Sequence, residues 1–185
     1  GRGITDYRKV SAMVLQTEGV LAATPYTYSQ TMLSVPDASS GVVVRGIDPA
    51  TANNVLSISN QLVEGSVDAL NDEKQETDAS STSSKAPRSL PGIILGKEIA
   101  QSLRVDMGDN IRLFSPSGPL TPMGVIPKIK TCRVVGIFDT GMYEYDSSLA
   151  YVSLTTAQDF LELDEAVHGL ELKVDDIYKA SVIAK

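Results

Sequence analysis

The apolar positions along this chain change period several times. In residues 4–18 (ITDYRKVSAMVLQTE), Ile4, Tyr7, Val10, Met13, Val14 and Leu15 recur at helical spacing, with Asp6 near the start and Gly19 as a stop. Alternation follows: residues 20–35 (VLAATPYTYSQTMLSV) predict one strand or a bent pair, and VVVRGIDP predicts a short buried strand ending at a turn. ATANNVLSISNQLVEG predicts a helix. Residues 66–91 are polar and Ser-rich, and predict a flexible surface insertion. A strand at 92–95, a helix at 97–103 and a turn at 107–110 come next. Strands at 111–114 and 131–138 then have the order of a hairpin with a long tip. GMYEYDSSL is an irregular link. AYVSL reads as a strand, TTAQDFLEL as a helix capped by Thr155 or Thr156, HGLELKV as a strand and DDIYKASVIAK as a helix. The order predicts an α+β fold with helices packed on mixed sheets. Two lobes are expected, one from about 1–40 with 131–185 and one from about 41–130.

Composition narrows the function. Hydrophobic residues make up 42% of the 185, enough for a sizeable core, while aromatics are 5% and Trp is absent, so that core is aliphatic. A net charge of −7 argues against a nucleic-acid binder, which needs a basic stripe to displace counterions. One cysteine, Cys132, excludes an intramolecular disulfide framework. The start at GRGITDYRKV, without an initiator Met, and the end at DIYKASVIAK lead us to expect a piece of a longer protein.

Candidate chemistry is sparse. His168 is the lone histidine, and no GxSxG, HExxH, GxxxxGK[ST] or strand-borne GxGxxG accompanies it. It reads as a structural or surface histidine. Cys132 sits in a strand pattern with no activating base nearby and reads as a small buried hydrophobe. Asp106 and Asp109 flank Gly108 in a pattern too short for a calcium loop. Glu144 and Asp146 in MYEYDSS could be paired carboxylates, but Tyr143, Tyr145 and Ser147 favour a hydrogen-bonded turn. No catalytic residue, metal or cofactor is expected.

What stands out is SPSGPLTPMGVIPKIK, residues 115–130. Four prolines and two glycines make it a loop by local chemistry, yet it carries Leu120, Met123, Val125 and Ile126. The prolines limit the backbone and remove N–H donors at Pro119, Pro122 and Pro127, and Gly118 and Gly124 permit turns. Arg112, Lys128 and Lys130 put positive charge at its base. Apolar anchors with a basic footing suit docking, and a loop folded back on its own domain suits the same composition equally well.

A resemblance shifts that balance. VVVRGIDP, GIILGKEIAQSLRVDMGDNIRLFSP, LTPMGVIPKIKTCRVVGIFDTGMYEYDSSLAYVSL, AQDFL and VHGLELKV, in that order, resemble the periplasmic domain of lipoprotein-releasing ABC transporter permeases of the LolC/LolE type, within a wider MacB-like group. The match fails only in the Ser-rich stretch. It implies a domain set between the first and second of four membrane helices, on the periplasmic face of the bacterial inner membrane. It also implies ATP hydrolysis on a separate subunit, LolD, and lipoproteins as substrate. A second permease subunit would be identical or LolE-like, and GMYEYDSSLAYV leans toward the identical case. In LolC-type members a β-hairpin captures the soluble carrier LolA. By resemblance that hairpin is Ser115, Pro116, Pro119, Leu120, Thr121, Pro122, Met123, Gly124, Val125, Ile126 and Pro127, with a basic pad at Arg112, Lys128 and Lys130. Ile129 departs from the polar neighbour expected there. The alternative is a MacB-like exporter domain that contacts an adaptor protein.

Overall fold

The computed structural model describes residues 3–71, 74–75, 89–115, 120–122 and 124–175. Its elements in order are α1 (Tyr7–Leu15), β1 (Val20–Val35), β2 (Ala38–Ile47), α2 (Pro49–Leu56), β3 (Leu62–Gly65), β4 (Lys74–Gln75), β5 (Ser89–Leu90), β6 (Gly92–Gly96), α3 (Lys97–Leu103), β7 (Asn110–Ser115), β8 (Leu120–Thr121), β9 (Gly124–Val125), β10 (Lys128–Phe138), α4 (Tyr143–Asp146), β11 (Leu149–Ser153), α5 (Leu154–Leu161) and β12 (Gly169–Val174). The fold is α+β, as expected. Among the described residues, eight strands form one mixed sheet in the order β12-β1-β2-β11-β6-β10-β3, with β7 bridging β1 and β10.

The middle of the sheet is buried on both faces. β6 pairs in parallel with β10, and β11 in parallel with β2, and such pairs are stable where both faces are covered. This is why GIILG reads as an unbroken apolar run. Its alternation divides two cores: Ile93 and Leu95 join Leu33, Val44, Ile111, Leu113, Cys132 and Val134 beneath α3 and α5, and Ile94 joins Ile47, Ile58, Leu70, Phe138 and Tyr151 on the other side. Strands from both expected segment groups alternate within this one sheet, so the 1–40 group and the 41–130 group are joined by the β1–β2 ladder.

Several local expectations change. Residues 20–35 form one strand, with odd positions 27, 31 and 33 buried and even positions 28 and 32 exposed. α1 forms at the expected place, but none of its residues is buried, and Met13 and Leu15 are exposed, so its apolar stripe is not a core face. The end of the predicted helix at 50–65 is instead strand β3, paired with β10, because the chain must return to the sheet edge. GMYEYDSSL contains the short helix α4. α5 is capped by Ser153, whose Oγ accepts from the Thr156 N–H at 3.1 Å, so Thr155 and Thr156 lie inside the helix. At the start of the expected insertion, Val67 and Leu70 are core residues. Most of that insertion (72–73 and 76–88) and the helix expected over 176–185 lie outside the described residues.

Helix α5 lies close on the sheet because Gly46 permits it. A Cβ on Gly46 would sit 2.3 Å from Thr27 Oγ1 and 2.4 Å from Ala157 Cβ. That approach seats α5 on β1 and β2, and from there Asp159 and the C-cap residue Glu162 reach Lys130 and Lys128 of β10.

Candidate functional site

β7 and β10 pair antiparallel from Asn110↔Arg133 to Ser115↔Lys128, and there the sheet pairing ends. Pro127 has no N–H to donate, so the ladder breaks just before β10 begins. Beyond the break the chain makes a separate ladder, Leu120↔Val125 and Thr121↔Gly124, with Pro122 in a turn. Gly124 has φ +114, a conformation open chiefly to glycine, and nothing lies within 4 Å of a Cβ built on it. Pro122, Gly124 and Pro127 are exposed, and Ile126 is 56% exposed. Twelve residues, 116–127, leave and rejoin the sheet, which limits the reach to about 20 Å at roughly 3.3 Å per residue. Pro116, Pro119 and Met123 lie outside the described residues. The described part is a two-stranded ladder that does not pair with the main sheet.

The three cations named in sequence are not brought together. In antiparallel pairs, opposed residues share a face. Lys128 and Lys130, opposite Ser115 and Leu113, point to the side of α5. There Lys128 Nζ lies 2.6 Å from Glu162 Oε1, and Lys130 Nζ lies 2.5 Å from Asp159 Oδ2. Arg112, opposite Thr131 and Ser34, points to the other side, is exposed, and makes no ion pair among the described residues. A single three-residue pad is therefore replaced by one outward arginine and two lysines tied to α5.

Arg112's face holds residues that sequence reasoning passed over. Ile129, Phe114, Met32 and Gly41 stand in register across β10, β7, β1 and β2. Ile129 is 58% exposed and Met32 42%. The row runs from the hairpin base into an open, mainly apolar groove of about 520 Å³ that also includes Gln30 and Ser148. Thr31 Oγ1 donates to Phe114 O at 2.5 Å and fixes β1 against β7 there. Ile129, which breaks the expected polar pad, belongs to this apolar row.

The remaining candidates have structural places. Cys132 is buried, and desolvation pushes its thiol up to about 12, so it is inert at neutral pH. His168 Nδ1 accepts from the Tyr28 N–H at 3.0 Å, and its ring lies against Tyr28. Asp146 is buried and accepts from Thr140 N and Oγ1, whereas Glu144 is exposed, so the two carboxylates are not a pair. Asp109 Oδ2 accepts from the Asp106 N–H, closing a turn. No cluster of metal-ligating side chains occurs among the described residues.

Fold and site together define a mixed-sheet α+β domain with a separate two-stranded ladder between β7 and β10. The chain belongs to the MacB-like periplasmic core domain family, whose sequence profile matches residues 2–183. It is 32% identical over 182 residues to the lipoprotein-releasing system transmembrane protein LolC of Neisseria meningitidis serogroup B, covering 97% of this chain and 39% of that protein. It is 29% identical over 188 residues to LolC of Xylella fastidiosa strain 9a5c, covering 100% of this chain and 40% of that protein. The chain thus spans about 40% of the length of these relatives. In fold it is similar to the extracellular domain of the ABC-type transporter YknZ from Gram-positive bacteria, with TM-score 0.58, 12% identity, and coverage of 100% of this chain and 80% of that one. The periplasmic region of MacB from Actinobacillus actinomycetemcomitans gives TM-score 0.54 and 13% identity, covering 96% of this chain and 68% of that one. The resemblance to LolC-type periplasmic domains read from the sequence is borne out. No helix among the described residues is long and apolar enough to cross a membrane.

Proposed function

We propose that this domain recruits a soluble periplasmic lipoprotein carrier of the LolA type to the membrane subunit of a lipoprotein-releasing ABC transporter. The hairpin at 115–127 is the docking element. The observation that carries the reading is the separate β8–β9 ladder, whose exposed Pro122, Gly124, Ile126 and Pro127 add nothing to the core. A preformed turn with proline-restricted backbone loses little entropy on binding, and apolar residues there, Met123 among them, are the anchors. The Ile129–Phe114–Met32 row and Arg112 form the floor beside it. ATP hydrolysis takes place on a separate LolD-type subunit, a second permease subunit completes the complex, and lipoproteins leave the inner membrane for the carrier. An exporter domain that contacts an adaptor is the competing reading, favoured by the fold likeness to MacB.

Calorimetric titration of the chain with the LolA-type carrier of the same organism tests this. Saturable binding is expected, weakened about 30-fold or more in Met123→Glu, as for loss of a hot-spot anchor, with unchanged circular dichroism. Equal binding by both proteins removes the hairpin from the interface. Binding of neither to the carrier favours the exporter reading.

A further inference from the structure

β10 leads away from the hairpin for 11 residues, about 35 Å at roughly 3.3 Å per residue, and ends at a second exposed surface. Met142, Tyr143 and Tyr145 are 50%, 70% and 51% exposed. Three large side chains so open within four residues are not core residues that have slipped outward, because the backbone beneath them is held from several sides. Asp146 is buried and accepts from Thr140 N at 2.9 Å and Thr140 Oγ1 at 2.7 Å. Thr140 Oγ1 in turn accepts from the Met142 N–H. Asp139 Oδ1 accepts from the Gly141 N–H, and Asp139 Oδ2 binds Lys97 Nζ at 3.0 Å. α4 lies so close to the end of β6 that a Cβ on Gly96 would fall 2.2 Å from Asp146 O.

The surface is therefore preorganised, apolar and aromatic, and it is also acidic. Lys97 pairs with Asp139 and lies near Glu98 and the buried Asp146, and Glu144 is exposed in sequence between the two tyrosines. Rigid tyrosines and an adaptable methionine are the side chains that anchor protein interfaces. A surplus of carboxylates selects a partner of opposite sign. It disfavours an anionic bilayer, toward which surface-binding segments carry Lys and Arg. It also disfavours a second copy of this chain, which carries −7.

We propose that Met142, Tyr143 and Tyr145, with Glu144, dock a basic amphipathic segment of a protein other than the one bound at the hairpin. Tyrosine faces receive its apolar and cationic side chains, and Glu144 pairs with a Lys or Arg.

The test titrates the chain calorimetrically with a synthetic 16-residue Lys/Leu amphipathic peptide, its Glu/Leu counterpart, and phosphatidylcholine vesicles. Saturable binding of the basic peptide is expected, at least tenfold weaker in a Met142→Ser/Tyr143→Ser/Tyr145→Ser variant and in Glu144→Lys, and unchanged in Met123→Glu. The acidic peptide is expected not to bind. Should the triple variant lose its circular dichroism, Tyr143→Ser alone serves, with at least a threefold weakening expected. Equal binding by wild type and variants would mean diffuse attraction to an acidic domain and overturns the proposal. No binding by the wild type overturns it too, as does vesicle binding that the triple variant loses, which would make the surface a membrane contact.

Discussion

The split of the three cations makes a quantitative prediction about carrier docking. Arg112 is exposed on the face that continues the hairpin, and it has no ion-pair partner among the described residues. Lys128 and Lys130 already face Glu162 and Asp159 at 2.6 and 2.5 Å. A solvent-exposed charge pair contributes about 1 kcal/mol at most. Replacing Arg112 by Ala should therefore weaken carrier binding roughly fivefold. Arg112→Glu, which turns attraction into repulsion, should cost about 2 kcal/mol, roughly 30-fold in Kd. Lys128→Ala and Lys130→Ala should change Kd by less than about twofold, because their charge is spent within the domain. They should instead lower Tm by about 2–4 °C at most, from the loss of one exposed pair in a domain of this size. The assay is calorimetry at 50 and 500 mM NaCl: the Arg112 effect should shrink at high salt, where the Debye length falls to a few Å. If Lys130→Ala weakens binding as much as Arg112→Ala, the carrier approaches over the α5 side, and the reasoning from strand register fails.

Two further predictions concern the body that holds the hairpin. Gly46→Ala should destabilise the fold by about 1–3 kcal/mol, seen as a fall in the urea midpoint, because a Cβ 2.4 Å from Ala157 Cβ pushes α5 off β1 and β2; an unchanged midpoint would mean α5 is free to shift. Cys132 should resist thiol reagents in the native state at pH 8. Its folded pKa of about 12 lies above the ordinary 9.0, so the folded state holds the proton longer and stability falls as pH rises between these values. Cys132→Ala should flatten that alkaline limb by up to about 1.4 kcal/mol per pH unit, and identical slopes in the two proteins would contradict the burial argument.

The hairpin was legible because its chemistry is local. Prolines that cannot donate and glycines that permit turns interrupt a ladder wherever they stand, so SPSGPLTPMGVIPKIK marked the break between the two long strands, while docking and folding back stayed equally compatible with its composition. Ile129 stood out in the sequence as an apolar departure from the basic pad that the resemblance implies. In sequence it is an apolar residue between two lysines, and only its pairing with Phe114 shows that it and the lysines point to opposite faces. The Met142–Tyr145 surface was legible as an irregular link but not as an exposed one, since exposure depends on what the rest of the chain covers.

Alternation, helical spacing and turn residues along the chain determined that these segments would be strands, helices and a proline-rich tip, and that the fold would be α+β. These are properties of neighbouring residues, carried by backbone sterics and by the period of the apolar positions. Tertiary structure alone decided that one sheet carries both segment groups, that its centre is buried on both faces, and that Arg112 turns away from Lys128 and Lys130. A period of two assigns alternate residues to opposite faces, but which face is covered depends on α3, α5 and strands remote in sequence, brought there by packing around the whole core.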